Sequence, residues 1–156
     1  MKPENNIGFL LQHLSFSIAR QADQVLQDEL GIGFSQFKIM KVLHKQPNIR
    51  QNQIAEKLGQ TEASISRQIK LMHDDGLLQS VPRAEDRREN ITSLTPRGER
   101  LSAEAWKVLT EYLDPMFKTL SKDEKAALLK SLTTLHEYVC QAEVCSGFTA
   151  TNKQGK

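Results

Sequence analysis

The chain is poor in several things that would have made its chemistry obvious. Cysteine occurs only twice, at positions 140 and 145, so no disulfide framework is available. The histidines at 13, 44, 73 and 136 are scattered, and no Cys/His spacing resembles a structural zinc site. Aromatic residues make up 6 %; leucine and isoleucine supply much of the apolar content, which suits helices more than sheets. Charge of one sign is absent in bulk, the formal net charge being only +2. Long hydrophobic runs are missing too: no stretch approaches the roughly 18 apolar residues that a membrane span needs. Nor does the start resemble a signal peptide, since Lys2 precedes a polar stretch and the apolar residues from Ile7 onward are broken by Gln12, His13 and Ser15. A cytoplasmic, soluble protein is expected. Enzyme signatures are equally lacking: there is no phosphate-cradling glycine loop, no nucleophile elbow and no His/Glu metal cluster. The paired acids Asp74-Asp75 and Glu85-Asp86 fall at a helix end and a hairpin tip, where they fit charge balance better than acid–base work. No enzyme, no cofactor and no bound metal is expected.

What is present is helical periodicity. At 156 residues with 38 % hydrophobic content, the chain fits one domain, or two small lobes sharing a core. Ile7, Leu10, Leu11, Leu14, Ile18, Ala22, Val25, Leu26 and Leu30 recur at steps of three and four, predicting one long amphipathic helix over 5–30, ended by Gly31 and Gly33. Ser35 is expected to cap a second helix with Phe37, Ile39, Met40, Val42 and Leu43 as its buried stripe and Pro47 as its stop. A third, short helix covers residues 51–58 and ends at Gly59. Thr61 opens a fourth over 61–74, closed by Gly76. Residues 77–81 and 90–94 are β-prone runs flanking a tip rich in Arg, Asp and Glu, which reads as a hairpin. Thr95 as cap and Pro96 at the first helical position open a long helix whose apolar side is Leu101, Ala105, Val108, Leu109, Tyr112, Leu113, Met116 and Leu120. Pro115 should bend or break it. Ser121 and Glu124 form a capping box for a last helix with Leu128, Leu132, Leu135 and Val139 along one seam.

The fold class that follows is mainly α with a small β-hairpin wing: a winged helix-turn-helix lobe over 34–95, long terminal helices over 5–32 and 96–145, and a small polar tail over 146–156 expected to be disordered. Helix, turn, helix and charged hairpin in this order form a device for reading duplex DNA, with one helix in the major groove and the hairpin reaching backbone or minor groove. From Glu62 to Arg100 the seven Arg/Lys (67, 70, 83, 87, 88, 97, 100) are matched by seven Asp/Glu (62, 74, 75, 85, 86, 89, 99). Any DNA affinity must therefore come from where the charges sit. The terminal helices carry more apolar residues than the small lobe can cover. Such helices usually bury the surplus against a second copy, giving an isologous homodimer that reads a pseudo-palindromic operator.

Ile54-Ala55-Glu56-Lys57-Leu58-Gly59 followed by Ser64-Ile65-Ser66-Arg67 resembles the helix-turn-helix of MarR-type regulators (multiple antibiotic resistance regulators). Arg83-Ala84-Glu85-Asp86-Arg87-Arg88, with Leu94-Thr95-Pro96-Arg97-Gly98, is similar to that family's wing, with its Asp-x-Arg motif and Leu-Thr-x-x-Gly exit. The resemblance covers about residues 5–145. It implies winged-helix homodimers, usually repressors, whose DNA affinity often falls on binding a phenolic or other lipophilic effector.

On the fourth helix, Thr61, Ala63, Ser64, Ser66, Arg67 and Lys70 are the expected DNA-facing residues, opposite Ile65, Ile69 and Met72. Small hydroxylated residues let the helix start approach the groove, and Arg67 can pair bidentately with guanine; the plainer alternative is a solvated helix face. In the hairpin Arg83, Arg87 and Arg88 are the cations, and the family motif implies that Asp86 orients Arg88. Gln51, Asn52 and Gln53 are either phosphate partners or simple helix-capping polarity. The resemblance further implies an effector pocket where the first, second and fifth helices meet. Phe16, Arg20, Phe37, Met40 and His44 are its candidates, with core or dimer packing as the alternative. Cys140 and Cys145, rising ~7.5 Å apart along a helix and pointing in different directions, cannot bridge within it. A bond across a dimer would make a thiol-redox switch the rival mechanism, although the family's best-known redox sensors place the reactive cysteine in the first helix, where this chain has none. A third possibility, raised by the neutral lobe, is a protein-interaction module that keeps the wing fold without operator binding.

Overall fold

Local chemistry sets where each element begins and ends. In the computed structural model, which describes residues 6–82 and 90–141, the order is α1 (Ile7–Leu30), α2 (Phe34–Lys45), β1 (Ile49–Arg50), α3 (Gln51–Leu58), α4 (Glu62–Asp74), β2 (Leu78–Pro82), β3 (Asn90–Leu94), α5 (Pro96–Lys118) and α6 (Lys122–Gln141). Asn6 caps α1 by accepting from the Phe9 N–H at 3.0 Å, and Gly31 ends it at φ 68°, a conformation glycine adopts without steric cost.

The second helix starts two residues earlier than Ser35 suggests. Gly33 is the cap, because two acceptors converge on the helix start: Asp23 from α1 takes the Phe34 N–H at 2.7 Å and Gln36 takes the Gly33 N–H at 2.9 Å. The Ser35 hydroxyl instead accepts from Gln60 at 3.4 Å. The stripe Phe37, Ile39, Met40, Val42 and Leu43 is buried as the periodicity predicts.

The sheet has three antiparallel strands in the order β1-β3-β2, one more than the expected hairpin. The added strand is two residues long and pairs Ile49 with Thr92 and Arg50 with Ile91. Across the other edge Leu78 faces Leu94 and Ser80 faces Thr92. Thr92 is fully buried, and its hydroxyl lies 3.3 Å from that of Ser80. The first hairpin strand begins at Leu78 rather than Leu77, since Leu77 donates its N–H to Met72 at 2.8 Å and so still belongs to the end of α4. The hairpin tip lies outside the described residues.

Ile39, Met40 and Leu43 of α2, Ile54 of α3 and Ile65 and Met72 of α4 are buried together with Leu26, Leu94, Ala105 and Leu109 in one cluster. Helix α5 runs through Pro115 without breaking. Pro115 lies in its last turns, so its missing N–H removes a single bond there. The terminal helices are covered unequally. Ala22 and Leu26 of α1 are buried, whereas Ile7, Leu10, Leu11 and Leu14 are exposed, and so are Leu128, Leu129, Leu132, Leu135, Tyr138 and Val139 of α6. Among the described residues, no helix is long and apolar enough to cross a membrane.

The segment leaving α4 meets α5 through a close approach at Gly98. A Cβ there would lie 2.2 Å from the Leu77 carbonyl oxygen and 3.0 Å from Leu94 Cδ2. Gly98→Ala is therefore expected to lower unfolding stability by about 1–3 kcal/mol, the usual range for overpacking; a urea midpoint equal to the parent's would show that the contact yields freely. At the start of α6 the Glu124 carboxylate accepts from the Ser121 hydroxyl at 2.7 Å and the Ser121 N–H at 2.8 Å, which holds its pKa below the ordinary carboxylate value. A lowered folded pKa stabilises fully above the unfolded value, and that stabilisation is lost as pH falls through the folded one. In Ser121→Ala the Glu124 titration midpoint, followed by carboxyl NMR, should rise toward the ordinary range; an unmoved midpoint would remove the hydroxyl as its cause.

Candidate nucleic-acid interface

Burial of one side of α4 dictates what the other side offers. Ile65, Ile69 and Met72 are packed into the core, and side chains three and four residues apart share a helix face. Thr61, Ala63, Ser66, Arg67 and Lys70 are exposed as a consequence, and Ser64 is half-buried. The turn that presents this face is tight. Gly59 ends α3 at φ 60°, Gln60 donates to the Ala55 carbonyl at 3.0 Å, and the Thr61 hydroxyl accepts from the Ser64 N–H at 3.2 Å. The first-turn N–H groups and the helix dipole make this end electropositive.

At the start of α3, Gln53 accepts from the Arg50 N–H at 3.0 Å and Asn52 accepts from the Gln53 N–H at 2.9 Å. Capping uses their carbonyl oxygens and not the NH2 donors a phosphate would need, so the two roles are chemically compatible at Asn52 and Gln53. Of the wing residues, Arg83, Asp86, Arg87 and Arg88 lie outside the described residues; the strands that lead to them end at Pro82 and resume at Asn90.

The five residues expected around an effector are not brought together. Phe16 is 67 % exposed, and with Arg20, His13, Ser17, Gln21 and Gln24 it lines an open groove along α1. Phe37 and Met40 are core residues, Phe37 stacking between Phe34 and Trp106. His44 places Nδ1 2.7 Å from Glu99 Oε2, joining α2 to α5. Helical spacing identified the helices these residues occupy but not which face meets which neighbour. Cys140 lies on α6, and Cys145 is outside the described residues. Among the described residues no cluster of His, Cys, Asp or Glu is placed to hold a metal ion.

Sequence reading passed over Arg97, whose Nη1 donates to the Asp75 carbonyl at the end of α4 at 2.9 Å. The Thr-Pro-Arg-Gly stretch announces a helix start, and nothing local tells that its arginine turns back onto another helix.

A two-helix unit with an outward polar face, flanked by a small antiparallel sheet and followed by a long helix, defines a winged helix-turn-helix protein. Within that class, residues 34–90 match the model of the MarR family. Over 140 residues it is 29 % identical to the organic hydroperoxide resistance transcriptional regulator of Bacillus subtilis (strain 168), a span covering 88 % of this chain and 94 % of that protein. Wild-type MarR from E. coli, in its apo form, superposes with a TM-score of 0.78 at 21 % identity, covering 83 % of this chain and 96 % of the other. The transcriptional repressor CouR, bound to a 23-mer DNA duplex, gives 0.74 at 24 % identity over 85 % and 94 % of the two chains.

Because Thr61 closes the start of α4, Thr61→Ala should lower stability by about 1 kcal/mol, while Thr61→Ser keeps most of it. Chemical denaturation of the three proteins checks this; equal midpoints would mean that the cap contributes nothing.

Proposed function

We propose that this chain is a homodimeric, sequence-specific DNA-binding transcription regulator, a cytoplasmic repressor released by a small lipophilic or phenolic effector, and not an enzyme. The observation that carries the reading is the outward polar face of α4, with Arg67 and Lys70 exposed and the opposite side locked in the core. Such a face fits the major groove. Arg67 reads a base edge or holds a phosphate, Lys70 adds backbone charge, and Gln51, Asn52 and Gln53 approach phosphates from the start of α3. Arg83, Arg87 and Arg88 serve the wing, with Asp86 orienting Arg88. The exposed apolar residues of α1 and α6 support a dimer built on the terminal helices, with half-sites about one helical turn, ~34–36 Å, apart. The open groove beside Phe16 and Arg20 is read as the half of an effector pocket that a single chain supplies, while Phe37, Met40 and His44 of α2 lie outside its lining. The DNA-bound repressor among its structural relatives favours the same assignment.

A thiol-redox switch at Cys140 and Cys145 is the second reading, favoured by the hydroperoxide-resistance regulator among the relatives. Peroxide should then release the protein from DNA, and Cys140→Ser should block that release; salicylate-like compounds should act through the groove instead.

Fluorescence anisotropy on the duplex upstream of the chain's own gene, against a scrambled duplex across a salt series, tests the main reading. The native duplex should bind more tightly, with a steep salt slope and two chains per site. Arg67→Ala should relax sequence preference by about 1–3 kcal/mol, and Arg88→Ala should weaken all binding and flatten the slope by about one phosphate contact. Equal, weak binding to both duplexes, unaltered in either variant, would favour the protein-interaction module.

A further inference from the structure

We propose that the first turn of α5 clamps the C-terminal end of α4 and that Arg97 is a positioning residue, fixing the angle at which α4 meets DNA without touching DNA itself. The inference rests on the DNA-reading role proposed above. It starts from three successive carbonyls. Asp75, Gly76 and Leu77 lead out of α4, and all three accept from the segment that opens α5. Arg97 Nη1 donates to the Asp75 oxygen at 2.9 Å. The Thr95 hydroxyl lies 2.7 Å from the Gly76 oxygen and 3.2 Å from that of Leu77. The Thr95 N–H donates to Leu77 at 3.0 Å.

The carbonyls at a helix end have no partner within the helix and carry its negative pole. A guanidinium there satisfies a carbonyl and complements the dipole at once. Its planar, rigid fork fixes a direction as well as a charge, which a lysine ammonium on a flexible stem does less well. Asp75 is the C-cap residue of α4, so the bond acts on the end of the helix axis. Thr61, where the helix would enter the groove, lies about 20 Å away along that axis. A small swing at the clamped end therefore displaces the reading end.

Neighbouring contacts make Arg97 separable from the fold. Glu99 ties the same turn to His44 of α2 at 2.7 Å, and Thr95 still holds Leu77. With Arg97 removed, α5 stays attached to α2 and to the sheet, and only the end of α4 is freed. Arg97 itself is exposed, so its loss opens no cavity.

The test uses the full chain as wild type, Arg97→Ala and Arg97→Lys, with two readouts. The first is amide hydrogen exchange without DNA. Arg97→Ala should accelerate exchange over residues 74–77 about tenfold, the scale of one charged hydrogen bond, with α2 unchanged and Arg97→Lys partly restoring protection. The second is anisotropy on the operator duplex across the salt series. Affinity should fall about tenfold in Arg97→Ala and recover partly in Arg97→Lys, with the wild-type salt slope retained. Unaltered exchange over 74–77 overturns the clamp. A slope shallower by about one overturns positioning, because Arg97 would then be a phosphate contact. Faster exchange with unchanged affinity likewise overturns the positioning role. If the wild type itself prefers no duplex, the DNA-reading role fails, and the exchange measurement alone still decides the clamp.

Discussion

The carbonyl of Leu77 and the first turn of α5 come so close that no side chain fits between them. Gly98 is buried at that point, and its missing Cβ is what lets the two segments touch. Once they touch, Thr95 can serve two purposes. Its hydroxyl caps α5 through the Gly98 N–H at 3.1 Å and reaches back to the Gly76 and Leu77 carbonyls. Pro96 needs no N–H partner at the first helical position, so the turn closes with one orphan donor fewer. This contact sets how the segment leaving α4 meets the long helix α5, while the direction of the polar face follows from the burial of Ile65, Ile69 and Met72.

The two halves of the molecule stand in different thermodynamic positions. In the central lobe the stripes of α2 and α4 are buried, Ile39, Met40, Ile65 and Met72 completely, each worth roughly 1.5–3 kcal/mol relative to exposure. On α6 the apolar seam gains nothing of the kind in a single chain: Leu129 is 69 % and Tyr138 79 % exposed. A helix with so little burial is marginal alone in water, and its periodic leucines become stabilising when another surface covers them. On the proposed reading that surface is a second copy, and an isologous contact would bury the exposed α1 residues as well. Helix α5 then carries the orientation set at Gly98 into the dimer, so the spacing of the two reading faces depends on the joint.

Helix positions and buried stripes were legible in the sequence because they depend on local periodicity and caps: residues 51–58 match α3, and Thr61 and Thr95 are the caps that hydroxyl placement implies. What was not legible depended on distant partners. Gly33 replaces Ser35 as cap because Asp23 on α1, eleven residues before Phe34, accepts the Phe34 N–H. Strand β1 is too short to show alternation and exists only because β3 lies beside it. Pro115 reads as a break, yet near a helix end the bond it forfeits is one that fraying would weaken anyway. The outward residues of α4 were legible since burial of Ile65, Ile69 and Met72 forces them to the surface. The effector candidates were not, because a pocket depends on how three helices are rotated against one another and on what a second chain adds.

A neutral lobe can still attract DNA if its charges are ordered along α4. Arg67 and Lys70 project from the exposed face, and the N-terminal end adds the positive pole of the helix dipole. The acids Asp74 and Asp75 sit at the opposite end, where the dipole is already negative. Glu62 in the first turn opposes the pattern toward DNA while stabilising the helix itself. On the proposed reading the arrangement gives α4 a polarity, with phosphates drawn toward its start and its exposed cations and away from the acids at its end. That polarity would be weakened if the acidic end were free to swing toward the backbone. On that reading Arg97, bonded to the Asp75 carbonyl, restrains that end and sets a cation at it, so a residue proposed not to touch the duplex would help the neutral lobe act as a basic one.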